Sequence, residues 1–321
     1  MSKCTAIVLG GGGSHGAFQV GALRAILEAG IVPDLLVGTS IGSINSVGLA
    51  MYGPTIDGLD RLEKTWIDGS QARLLDTRRT ELTLRAMAGH PSNRSLKKVE
   101  NYFISIGITP DLNFRMFPMP RLALVSADLK SGKTVIYGQN PDDPILEGIM
   151  MSIAVPPWFM PVQKDGQLIM DGGAFCMLPI EPALQMGATE IIALDLGDAP
   201  STCEDNLNVP QYIDYYFYAV NRRLIYLETA LAESQGVPVH RLDFCGLAPA
   251  PSWNYEHSQE MIRSGYEKAR QRMDEWTRIA RQDTAAEKAD LAVNPALERE
   301  KRPFTLPNRL KGMLSRVKEN I

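Results

Sequence analysis

Residues 4–9, CTAIVL, run straight into GGGGSHG and then into AFQVGALRAILEAG, and no other stretch limits the fold as sharply. The short apolar run, rich in β-formers, reads as a buried strand. Phe18, Val20, Ala22, Leu23, Ile26 and Leu27 then recur at helical spacing until Gly30 ends the helix as a C-cap. Pro33 leads into DLLVG, a second strand of the same kind, followed by Ser40 and the helix IGSINSVGLAMYG. Strand, helix, strand, helix, with strands apolar throughout, predicts a parallel sheet covered on both faces. The expected class is α/β, a three-layer α/β/α sandwich with a mostly parallel sheet, plus a helical C-terminal region.

Further along, residues 57–120 read as mainly helical, with the polar, basic HPSNRSLKKVE at the surface. Strands return in RLALVSADL and KTVIYG. A short helix, DPILEGIMMSIA, precedes the proline-rich VPPWFMPV, and the strand QLIM runs into Asp171-Gly172-Gly173. The helix PIEPALQMG and the strand EIIALDLG follow. Past Gly197 the strand–helix rhythm is expected to stop, giving two long helices in QYIDYYFYAVNRRLIYLETALAES and HSQEMIRSGYEKARQRMDEWTRIARQ. Three units are expected: a catalytic domain over 5–185, a mainly helical extension over 186–297 packed on it, and a basic tail over 298–321. Tyr212, Tyr215, Tyr216, Phe217 and Tyr218 lie at helical spacing, which favours core over the lining of an acyl groove.

The chain has 321 residues, 45% hydrophobic and 22% charged, with a formal net charge of −4. That balance is globular and offers no global attraction for nucleic acid. Cys4, Cys176, Cys203 and Cys245 form no C-x-x-C pair and read as reduced, buried thiols of a cytoplasmic protein, not as a disulfide or zinc framework. The N-terminal apolar run is too short for a secretory leader, and no stretch approaches the roughly 18–20 apolar residues that span a bilayer. A protein that is soluble, or peripheral at a membrane surface, is expected.

Gly11-x-Gly13-x-x-Gly16 satisfies the local pattern of a dinucleotide-binding turn, but that turn needs an acid at the tip of the second strand. Here the tip is Gly38-Thr39-Ser40. A P-loop fails as well, because Ala127 stands where the leading glycine before Gly132-Lys133-Thr134 should be. Glycines can instead converge backbone amides on an oxyanion, with the following helix adding its positive end. Ser40, within Gly38-Thr39-Ser40-Ile41-Gly42, offers a hydroxyl at the next strand end and needs a base. His15, His90, His240 and His257 suit a Ser-His-Asp triad poorly, since Ser40 arrives after only two strands and neither late histidine ends a strand. Asp171 closes an apolar strand before two glycines, and a carboxylate beside a serine takes its proton directly if the site is dry.

GGGGSHG after the first strand, GTSIG after the second, SIAVPPWFMPV and a later DGG together resemble the patatin-like phospholipase family over roughly residues 5–185. The resemblance implies Ser40 as nucleophile and Asp171 as general base. It implies the amides of Gly11, Gly12 and Gly13 as the oxyanion hole, with Gly16, Gly38, Gly42, Gly172 and Gly173 as motif glycines. The substrate it implies is a lipid ester, hydrolysed with release of fatty acid and without cofactor or metal. One departure is His15, where the family often has Arg or Lys, which leaves His15 either a modulator of the oxyanion loop or a structural side chain. A thioesterase or an acyltransferase would use the same dyad, and a non-enzymatic nucleotide or lipid binder would use the glycine loop alone. In the tail, Leu310, Met313, Leu314, Val317 and Ile321 form one apolar helical face beside Arg309, Lys311, Arg316 and Lys318. Two placements of residues 304–321 fit that pattern, contact with a membrane surface or packing on the protein.

Overall fold

In the computed structural model, which describes residues 3–71, 94–197 and 208–293, β1 (Thr5–Leu9) runs between β2 (Leu35–Thr39) and β7 (Glu190–Asp195), parallel to both. β3 (Arg121–Asp128) continues the parallel set beyond β2, and β8 (Val239–Asp243) continues it beyond β7. β4 (Lys133–Tyr137), β5 (Val162–Lys164) and β6 (Gln167–Asp171) close the β3 side as antiparallel strands, making a mixed sheet of eight. Between the strands lie α1 (Gly16–Glu28), α2 (Ile41–Tyr52), α3 (Ile56–Gln71), α4 (Arg94–Ser105), α5 (Ile145–Ser152), α6 (Ile180–Gln185) and α7 (Val209–Ser234), and α8 (Ser258–Val293) follows β8.

The alternation of strand side chains divides the core into two layers. Ile7, Leu9, Leu36, Leu124 and Leu194 face one side, where Phe18, Leu23, Val47, Leu59, Ile149 and Met261 from α1, α2, α3, α5 and α8 cover them. Ala6, Val8, Val37, Val125 and Ala193 face the other, against Ile180 and Ala183 of α6 and Ile225 and Ala232 of α7. Helices therefore cover both faces, as the uniformly apolar strands require. On the first face α1 and α8 meet nearly backbone to backbone. A Cβ on Gly21 would lie 1.8 Å from the Ile262 carbonyl oxygen, and one on Gly265 would lie 2.1 Å from that of Phe18.

Three expectations are corrected. The sheet does not stop after Gly197, because β8 pairs with β7 from Ile191↔Val239 to Asp195↔Asp243. The segment after residue 185 thus supplies two strands of the sheet as well as helices, and a domain boundary there would cut β7 from β1. The aromatic residues of α7 are not core: Tyr212, Tyr216 and Phe217 are exposed and Tyr215 and Tyr218 only half-buried. Cys4 and Cys176 are buried as expected, whereas Cys245 is exposed. Cys203, His90 and the whole tail over 298–321 lie outside the described residues. Among the described residues no helix is long and apolar enough to cross a membrane.

Candidate active site

Ser40 stands between β2 and α2 with φ 54° and ψ −123°, a conformation that a non-glycine residue keeps only when its surroundings enforce it. The turn is so tight that a Cβ on Gly42 would lie 2.1 Å from the Leu9 carbonyl oxygen, and one on Gly38 2.3 Å from that of Gly42. Only glycine fits at both places. The result is a strand that stops, turns sharply and enters a helix, holding the Ser40 side chain at the positive end of α2.

The strand register brings Asp171 to the same point. Val125 of β3 pairs with Thr39 of β2, and the next residue, Ser126, pairs with Asp171 of β6. β4 occupies the opposite edge of β3, so β2 and β6 share one edge and meet head-on, carboxyl end to carboxyl end. Gly172 marks the junction, since a Cβ there would lie 2.4 Å from the Val125 carbonyl oxygen and 3.1 Å from the Thr39 methyl. The Ser40 hydroxyl acts on the Asp171 carboxylate as a hydrogen-bond donor that holds its pKa down. The Gly173 amide donates a second hydrogen bond to Asp171 Oδ1 at 2.7 Å. Burial pushes the Asp171 carboxyl up to about 6, while these two hydrogen bonds hold it from rising further.

The end of α5 and the residues just after it position both residues. The Ser40 amide donates to Ser152 Oγ at 2.9 Å, and Ser152 Oγ donates in turn to the Val125 carbonyl at 2.7 Å. Two residues on, the Ala154 carbonyl accepts the Asp171 amide at 3.0 Å. Neither contact was assigned from the sequence, although Ser152 opens the SIAVPPWFMPV stretch. A serine ending an apolar helical run directly before a proline-rich loop was the available signal.

In the glycine loop, the Gly11 amide donates to the Met177 carbonyl at 2.9 Å, so it is not free to meet a ligand. Gly11 instead supplies room, because a Cβ there would lie 3.2 Å from Ser40 Cβ. Among the described residues no acceptor takes the amides of Gly12 or Gly13. Gly13 has φ 57°, and a Cβ on it would lie 2.2 Å from the Ser252 carbonyl oxygen. That carbonyl accepts the Ser14 amide at 2.7 Å, and the Ala250 carbonyl lies 2.9 Å from His15 Nε2. His15 is thus a buried link between the loop and residues 250–252. A second set of contacts ties the loop to α2: Gln19 Nε2 donates to the Gly10 carbonyl, and Asn45 Nδ2 donates to Gln19 Oε1 and the Gly16 carbonyl. Trp66 Nε1 completes it at Asn45 Oδ1, 2.7 Å away.

The other described histidines are elsewhere. His240 Nε2 lies 3.6 Å from Glu190, at the amino ends of the strands, and His257 lies beside Glu260 on α8. Among the described residues no three His, Cys, Asp or Glu side chains group as around a metal ion.

The parallel strands, the strained strand-to-helix turn at Ser40 and the buried carboxylate meeting it define an α/β protein with a serine–carboxylate pair at its strand ends. The chain belongs to the patatin-like phospholipase family, whose sequence profile matches residues 7–184. A patatin-like phospholipase domain-containing protein of Caenorhabditis elegans is 31% identical over 211 residues, covering 64% of this chain and 18% of that protein. Patatin-like phospholipase domain-containing protein 7 of Mus musculus is 30% identical over 204 residues, covering 61% of this chain and 14% of its own length. An uncharacterised NTE family protein of Mycobacterium bovis is 29% identical over 195 residues, covering 61% of this chain and 49% of its own. The chain thus spans less than a fifth of the first two relatives and about half of the third.

Proposed function

We propose that this protein is a lipid acyl hydrolase that cleaves carboxylic esters through a Ser40–Asp171 dyad, without histidine. Asp171 takes the proton from Ser40 Oγ as the oxygen attacks the ester carbonyl. The tetrahedral oxyanion is held by the amides of Gly12 and Gly13, with Gly11 giving the space for it. Protonated Asp171 returns the proton to the departing alcohol, leaving Ser40 acylated. Water then loses a proton to Asp171 as it attacks the acyl group, and the acid departs with Ser40 restored. His15 serves as a strut of the loop, its Nε2 engaged at the Ala250 carbonyl, not as a charge beside the oxyanion. Lipid as the substrate rests on the membership of the family and on its name.

The observation that carries the reading is the strained turn of Ser40 meeting the buried carboxylate of Asp171 where β2 and β6 end head-on against β3, a carboxyl that burial pushes up to about 6. A carboxylate at its ordinary value is a weak base, and raising it brings its basicity nearer to what the step needs. The test is labelling by a fluorophosphonate together with release of fatty acid from phosphatidylcholine vesicles. Both are expected in the wild type and absent in Ser40→Ala. Labelling that persists in Ser40→Ala, or a wild type that labels but releases no fatty acid from any phospholipid, would refute the dyad or the lipid substrate respectively.

A further inference from the structure

The helix α7 carries an apolar face that points away from its own protein. Asn221, Ile225 and Ala232 are buried toward the sheet. About a third of a turn round the helix from that face Val209, Ile213, Tyr216, Leu227 and Leu231 are exposed, and Val220 and Leu224 between them are half-buried. These seven recur at intervals of three or four residues from Val209 to Leu231 of the 26-residue helix, a stripe about 33 Å long. Val209 is 72% exposed and Tyr216 60%, with Tyr212, Phe217 and Tyr226 flanking the stripe, also exposed. Counted together with Tyr212 and Phe217, the face presents roughly 700–900 Å² at usual side-chain areas. Monomers rarely expose so much contiguous apolar surface, and a standard protein interface takes about 800 Å² per partner.

The spacing also has a symmetry. Val209 lies as far before Val220 as Leu231 lies after it, and the same holds for Ile213 with Leu227 and for Tyr216 with Leu224. A second α7 laid antiparallel across the first, with a two-fold axis at Val220, therefore meets an apolar residue in every layer. Such a self-complementary patch is what an isologous dimer requires. A bilayer would accept apolar residues without that symmetry. Its anionic head groups would favour surplus positive charge, and α7 sets Asp214, Glu228 and Glu233 against Arg222 and Arg223. Arg222 is moreover paired with Asp195 at 2.9 Å.

We propose that the outer face of α7 is a homodimer interface, with two copies of this chain packed antiparallel through α7 about Val220. The outer face of α7 supplies none of the hydrogen bonds around Ser40 and Asp171, so the proposal holds or fails independently of the hydrolase reading. Sedimentation velocity of the full chain is expected to show a dimer in the micromolar range. Val220→Glu, which sets two carboxylates face to face on the axis, is expected to yield a monomer with an unchanged far-UV spectrum and unchanged fluorophosphonate labelling. Cysteine pairing tests the register in a Cys203→Ser, Cys245→Ser background. Val220→Cys is expected to cross-link to a disulfide dimer on mild oxidation. Tyr216→Cys is not, because its two copies would sit about 12 Å apart along the helices, beyond disulfide reach. A wild type that stays monomeric at 100 micromolar, a dimer that survives Val220→Glu, or equal cross-linking at both positions would overturn the proposal. A monomeric wild type whose binding to phosphatidylcholine vesicles is lost in Val220→Glu would overturn it in favour of a lipid contact.

Discussion

Asp171 carries two demands that oppose each other. As the proposed base it must be ionised, and as a buried group it resists ionisation. Its folded value of about 6 lies above the ordinary carboxyl value of 3.8, so the folded state binds this proton more tightly than the unfolded chain. The stability linked to that proton is fully present below about 4 and is lost as pH rises through about 6, a difference of about 3 kcal/mol. Asp171→Asn removes the buried charge, so it is expected to melt near the wild-type temperature at pH 4 and several degrees higher at pH 8, while hydrolysing esters at least a thousandfold more slowly. Thermal melts of both proteins at the two pH values check this. A variant that melts lower at pH 8 would show that the ionised carboxylate helps hold the fold. Ser152 acts one bond further out. Ser152→Ala leaves the Ser40 amide without its acceptor, at a cost of about 1–3 kcal/mol of stability. It is expected to lower kcat ten- to a hundredfold with KM nearly unchanged, which steady-state kinetics on a soluble ester reads directly.

The elements that build the site were legible in the sequence to different depths. The turn at Ser40 could be read because glycines and apolar runs are local signals. The pairing of Ser40 with Asp171 came only through the family resemblance, since its geometry depends on β6 running antiparallel along the same edge of β3 that β2 occupies. A signal for that was present: Asp165-Gly166, both with positive φ, makes the two-residue hairpin turn between β5 and β6. β8 was missed because HRLD interrupts a short run with charge, and this edge strand is only half-buried except at Leu242. The strap over 250–252 gave no signal at all, its grip on the glycine loop being made mostly by backbone carbonyls. The strap also yields an expectation. Gly13→Ala drives a Cβ to 2.2 Å from the Ser252 carbonyl oxygen at a residue with φ 57°, and so must displace the loop or the strap. Fluorophosphonate labelling of this variant is expected to slow by about a hundredfold or more, the usual effect of losing an oxyanion donor. Unchanged labelling would mean that the Gly12 and Gly13 amides hold no oxyanion.

At the scale of the whole molecule, the sheet edge that carries Ser40 and the glycine loop depends on a helix far along the chain. α8 closes the sheet face that α1 occupies, and α1 carries the glycine loop at its head. The two helices touch at Gly21 and Gly265, where no side chain fits without moving a carbonyl. Gly265→Val is expected to destabilise the protein by about 3 kcal/mol or more, as overpacking at a rigid contact does, and urea unfolding measures it. A loss below 1 kcal/mol would mean that α8 shifts freely on α1. Helical periodicity identified α7 and α8 from the sequence but gave the wrong inward face for the aromatic residues of α7. Tyrosine and phenylalanine at helical spacing mark an apolar stripe without saying which partner covers it.

The central claim is that Asp171 alone serves as base to Ser40, and the pH dependence of acylation tests it most directly. The rate of Ser40 labelling by a soluble activated ester should rise with unit slope and level off above an inflection near pH 6, as the carboxylate raised by burial ionises. His15→Phe should keep that inflection, and Asp171→Asn should lose the rate across the whole range. An Asp171→Asn protein that retained a tenth of the wild-type rate, or an inflection near 6 that disappeared in His15→Phe, would contradict the account.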